Sequence, residues 1–160
     1  SKDQKIVEAL CAYLEQHKIR CFVAYRDIAI GSSYPDEIVK ALKNSHIMIA
    51  VSSKSYNASE QTDREVKIAK DDQRIPIIPF RLSDDAYNDY KHYFLSDCHW
   101  LDAFPDPEKS FGKITSVINI LLLELDKKNL DDKESVDYVI PLDDVKNWLI
   151  SEVEKVILGK

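Results

Sequence analysis

Two short apolar runs, HIMIAV at 46–51 and IPIIPF at 75–80, constrain this chain more than anything else in it. Neither alternates between apolar and polar positions, as a strand with one wet face does. Both are shorter than an ordinary buried helix. Strands of this kind are covered on both faces, which places them in a parallel sheet with helices on either side.

The flanking segments supply such helices. Residues 3–17 set Ile6, Val7, Leu10, Cys11 and Leu14 on one stripe at helical spacing, with Asp3 as N-cap. RCFVA at 20–24 is rich in strand formers, and YRDIAIGSSY at 25–34 reads as a loop around Gly31. Pro35 suits the first turn of a helix running to residue 44. SSKSYNAS at 52–59 is a polar loop whose Ser59 caps a helix through residue 70. Residues 99–101 read as a weak fourth strand. A long helix follows at 106–126, with Phe111, Ile114, Val117, Ile118, Leu121 and Leu125 inside. DKKNLDDKE at 126–134 is a charged linker, 136–140 can be extended, and 142–158 is a last amphipathic helix. Alternation of strand and helix gives an α/β fold, a three-layer parallel sheet with helices on both faces. Ligands of that architecture bind beyond the carboxyl ends of the strands, here at 25–34, 52–59, 81–84 and 102–103.

Composition removes several function classes. The net charge is −6, with +1 over residues 1–80 and −7 over 81–160, so no basic stripe for nucleic acid is expected. The longest apolar runs are far too short to span a bilayer, and no signal peptide is visible. Cys11, Cys21 and Cys98 form no C-x-x-C pair, which fits a reducing, cytoplasmic setting with buried thiols. His17, His46, His92 and His99 lack metal spacing, so neither a metal nor a resident cofactor is expected. There is no Gly-x-Ser-x-Gly elbow, and three glycines cannot build a phosphate loop.

The segments CFVAYRDIAIGSSY, HIMIAVSSKSYNASEQTDREVKIA, IPIIPFRL and HWLDAF, in that order, resemble a bacterial Toll/interleukin-1 receptor (TIR) domain. The resemblance covers residues 1–125 and implies a flavodoxin-like fold. Residues 126–160 then form the linker and terminal helix. Many members of the family cleave NAD, some cyclise the ADP-ribose, and others only assemble into signalling scaffolds. The family opens on a central strand, and this chain begins where that strand ends. The first strand is therefore expected to be absent, which would leave two unpaired edges. It is either supplied upstream in a longer protein, the favoured reading, or replaced by residues 136–140. A fused sensor or effector domain and a role in bacterial defence belong to the same expectation.

Glu65 matches the family's catalytic glutamate. Nicotinamide leaves NAD neutral and needs no general acid, unlike the sugar oxygen of a glycoside. One carboxylate can then stabilise the oxocarbenium charge and hold a ribose hydroxyl. The competing reading is an exposed helix glutamate paired with Lys67 or Lys70. Some NAD-cyclising relatives carry tryptophan four residues earlier, on the same helix face, where this chain has Gln61. In the family, loop 26–34 lies beside the NAD site and takes part in self-association. Arg26 and Asp27 are candidates for the NAD site that the resemblance implies, where Arg26 either meets a phosphate bidentately or braces the loop against Asp27. Tyr34 either stacks on a ring or packs under Pro35. Ser52 and Ser53 contact ribose or phosphate, or are plain turn residues. Ile28 and Ile30 either serve a contact between copies or tuck into the core. Trp100, Leu101 and Asp102 read as packing. The expected activity is NAD glycohydrolysis with NAD as substrate; a non-catalytic interaction scaffold is the alternative.

Overall fold

The computed structural model describes residues 2–133 and 149–152. Helix α1 (Lys2–Gln16) leads to strand β1 (Arg20–Phe22). Its stripe buries Val7, Leu10, Cys11 and Leu14. A single helical turn, α2 (Ala24–Asp27), follows β1 at once, so the expected loop begins as a helix. Gly31 then takes φ 90°, a conformation side chains rarely adopt. Helix α3 (Tyr34–Lys43) starts with proline in its first turn, as expected.

Strand β2 (Met48–Ser52) is buried at all five positions, and β3 (Ile77–Arg81) at four of five. Between them the polar stretch 52–59 contains a second unforeseen turn, α4 (Lys54–Asn57), capped by Ser53. Helix α5 (Glu60–Lys67) has Ser59 as N-cap, its Oγ accepting from Thr62 N at 3.4 Å. A π-helical turn, Ile68–Asp72, carries it onward. Helix α6 (Asp89–Leu95) was not legible in the sequence; Asn88 Oδ1 caps it by accepting from Lys91 N at 2.8 Å. Strand β4 is two residues, Leu101–Asp102. Helix α7 (Phe111–Lys133) runs on through most of the expected charged linker.

Strands β2, β3 and β4 lie side by side in parallel, with Val51 opposite Phe80 and Phe80 opposite Leu101. Helices α1 and α7 pack together, and α3 packs on the π-helical turn. The core is built from Leu10, Leu14, Ile47, Ile49, Phe80 and Ile114, among others. Each such side chain contributes about 1.5–3 kcal/mol by leaving water.

The carboxyl-terminal part departs most from expectation. Residues 149–152, expected inside an amphipathic helix, are strand β5 (Leu149–Glu152). The remaining residues of that expected helix, and the extended candidate at 136–140, lie outside the described residues. Strand β5 pairs in parallel with β1 and also lies against β2. It therefore stands between β1 and the three-stranded group, where the missing first strand of the resembled fold would lie. The β1 edge is thus paired from the far end of the chain, while among the described residues β5 lies beside β2 without a ladder of hydrogen bonds between them. Among the described residues no helix is long and apolar enough to cross a membrane.

Candidate functional site

Beyond the carboxyl ends of β1, β2 and β3, polar side chains gather on α4, α5, α6 and the loops between them. Ser52 ends β2, buried, with its Oγ 3.1 Å from the Tyr87 hydroxyl. Burial pushes the Tyr87 phenol upward, partly offset by the bond to Ser52. Ser53 is also buried, and its Oγ accepts from Tyr56 N at 3.3 Å. Both serines thus carry structural bonds at the strand end.

Glu65 lies in the second turn of α5 and is only 2% exposed. An exposed glutamate paired with a nearby lysine is not what forms. Lys67 points to solvent, and Lys70 instead pairs with Asp97 and touches Cys98 Sγ at 3.6 Å. Gln61, one turn earlier on the same helix, is half-buried.

Beside Glu65 sits a fully buried lysine that sequence reasoning missed. Lys91 Nζ, 0% exposed, bonds to Asp63, to Ser59 O at 2.9 Å and to Asn57 O at 3.5 Å. It also lies 5.0 Å from the centre of the Tyr56 ring. Burial lowers its proton affinity; the bond to Asp63 and the charges of Asp63 and Glu65 act against that. The ammonium thus ties α6 to the N-terminal turn of α5 and lies within electrostatic reach of the Glu65 carboxylate. No local pattern marks a lysine in DYKHYFL as buried; only the spatial approach of Asp63 explains it.

Arg81, at the end of β3, was also missed. It pairs with Asp84 at 2.6 Å and Asp102 at 3.0 Å. Its guanidinium lies 5.8 Å from the ring centres of both Trp100 and Phe104. Leu101 packs as expected at 8% exposure, but Trp100 is 53% exposed and is held by Arg81 rather than by the core. A two-residue edge strand cannot cover a residue that precedes it.

The loop residues are arranged differently. Arg26 donates to Cys21 O at 2.7 Å and to Asp27 at 2.9 and 3.1 Å, and pairs with Glu15 at 2.9 Å. Asp27 accepts in turn from Val23 N at 2.6 Å. This is the loop brace, turned toward β1 and the end of α1. A phosphate would have to displace these bonds to reach Arg26. Tyr34 opens α3, half-buried against the core. Ile28 packs against the core, whereas Ile30 is fully exposed. Ser52, Ser53, Gln61 and Glu65 therefore share one region, which also holds Tyr87 and Lys91. Arg26 and Asp27 are bound up with β1.

A family model described as a TIR domain matches residues 1–115. No curated protein and no solved structure matches the chain.

Proposed function

The chain belongs to the TIR domain family, and from that premise we propose that it is an NAD glycohydrolase acting through Glu65. One observation carries this reading, the near-complete burial of the Glu65 carboxylate at the carboxyl side of the sheet. Burying a carboxylate is costly, and a helix glutamate with only a surface role stays in water. Carboxylates held in such places are candidates for chemistry.

In the proposed reaction the bond between ribose C1′ and the nicotinamide nitrogen breaks. Its electron pair goes to the nitrogen, and nicotinamide leaves neutral. The positive charge that develops on the ribose faces Glu65, which stabilises it more strongly than it stabilises bound NAD. Water then adds at C1′ and gives up a proton, yielding ADP-ribose. If a nitrogen of the adenine attacks instead, the product is cyclic; Gln61 offers no ring to hold the base for that course. Because Glu65 is covered, NAD reaches it only when the domain opens. The family resemblance implies that stacked domains complete the site, and we take that contact as the event that admits NAD, with cytoplasmic defence signalling as its setting.

The test is release of free nicotinamide by the full chain and by Glu65→Gln. The substitution keeps size and hydrogen bonding. Turnover should fall about 10²-fold, as when other electrostatic stabilisers are removed, with KM changing far less. Unaltered turnover in a folded variant would overturn the assignment.

A second reading, a non-catalytic scaffold, draws on Ile30. A fully exposed isoleucine beside a φ 90° glycine suits a contact between copies. That reading predicts no nicotinamide release at any protein concentration.

A further inference from the structure

The amino ends of the strands, away from Glu65, hold a cavity of about 800 Å³. Arg20 at the start of β1, Lys43 at the end of α3, His46 before β2 and Arg74 before β3 line it. Among the described residues none that lines it is acidic, although the chain carries a net charge of −6. Elsewhere Arg26, Lys70, Arg81 and Lys91 each hold a carboxylate. Among the described residues, Lys43 and Arg74 form no ion pair.

Arg74 also sits at φ 52°. It follows the π-helical turn, where Gln73 N donates to Ile68 O at 2.9 Å and Ile75 N to Ala69 O at 3.0 Å. Glycine is the usual residue at such a helix end. Lys18 ends α1 in the same conformation, at φ 63°, so the backbone alone singles out nothing. A cation near a helix C-terminus also answers the helix dipole. That accounts for Lys43 and Arg74 one at a time. It does not account for Arg20 and His46 at strand starts, or for all four facing one cavity.

We propose that this cavity binds the diphosphate group of a nucleotide-sized ligand. Guanidinium forks match phosphate oxygens bidentately. Low-dielectric walls carrying one sign of charge concentrate the opposite charge. Asn44, Gln73 and Asn129 bring amides for a sugar or base, and Ile75 and Pro76 give an apolar wall. The volume lies within the range of small-molecule sites. The site is separate from Glu65 and does not depend on the proposed reaction.

The experiment is calorimetric titration of the full chain with inorganic pyrophosphate and with ADP. Neither probe contains the nicotinamide–ribose bond, so binding is read whether or not NAD is cleaved. Saturable binding that weakens steeply with salt is expected. Tighter binding of ADP that Arg74→Gly weakens assigns the site to a nucleotide, and equal binding that it weakens assigns the site to a free diphosphate; both support the site. Arg74→Gly is the decisive variant, because glycine accepts φ 52° and the fold is kept. It should bind at least about tenfold more weakly while melting within a few degrees of the parent. No saturable binding of either probe would overturn the proposal, as would unchanged affinity in a folded Arg74→Gly.

Discussion

At the carboxyl ends of the strands, Arg26, Arg81 and Lys91 are each held by one or two carboxylates. At the amino ends, Lys43 and Arg74 face a cavity that no acid lines among the described residues. Paired charges fix geometry but have little attraction left for a ligand. Cations left open repel one another and gain only when an anion arrives. Under the proposed reading the carboxyl side rests on one buried carboxylate among answered charges, while the amino side keeps the charges of Lys43 and Arg74 available.

The largest expected break in that comparison is Lys91→Met. It leaves Asp63 and the Ser59 and Asn57 carbonyls facing an apolar chain. Removing one partner of a buried pair should lower stability by about 3 kcal/mol, the lower end of the range because Asp63 keeps 16% side-chain exposure. Urea unfolding would measure it. A parent-like midpoint would mean that the pair does not hold α6 to α5. Next comes Glu65→Gln, whose 10²-fold loss of turnover corresponds to about 2.7 kcal/mol of transition-state stabilisation. Arg74→Gly follows, the amino-side counterpart, with its tenfold loss of diphosphate affinity.

Smaller effects separate the loop from both ends. Gly31→Ala meets no atom within 4 Å, so its cost of about 1 kcal/mol comes from backbone strain alone at φ 90°. Thermal melting would register it as a drop of a few degrees. Ile30→Ser removes an exposed side chain and should move stability by less than about 0.5 kcal/mol. If the loop mates with a second copy, specific NAD cleavage in the parent should rise with protein concentration. The Ile30→Ser variant should show a flatter dependence. Identical concentration dependence in both would assign Ile30 no part in assembly.

The elements legible in the sequence were those whose pattern is local. HIMIAV and IPIIPF hold all but the last residue of β2 and β3, because both faces of each strand are covered. Ser59 announced α5 because a cap acts within four residues. Helix α6 gave no such signal, since DYKHYFL is polar and its buried lysine depends on Asp63, far along the chain. Strand β5 was read as helix because leucine, valine and tryptophan recur there at helical spacing, while its pairing partner is β1. The position of Glu65 came from the family resemblance; its burial and the neighbouring Lys91 came only from the fold. Arg26 shows the reverse: its bracing partner is the adjacent Asp27, so that role is legible from sequence beside phosphate binding.

The pairing of β5 with β1 also sets a timetable for synthesis. Arg20 meets Leu149 across about 130 intervening positions, a separation that makes closure slow and late. During translation β1 waits, unpaired on that side, until residues 149–152 have followed it. A nascent chain halted after residue 133 can pair β2 with β3 and β4 but offers β1 no partner from β5. Its exposed strand is then open to neighbouring nascent chains, so crowding on one messenger is the circumstance in which this domain is most exposed to mispairing.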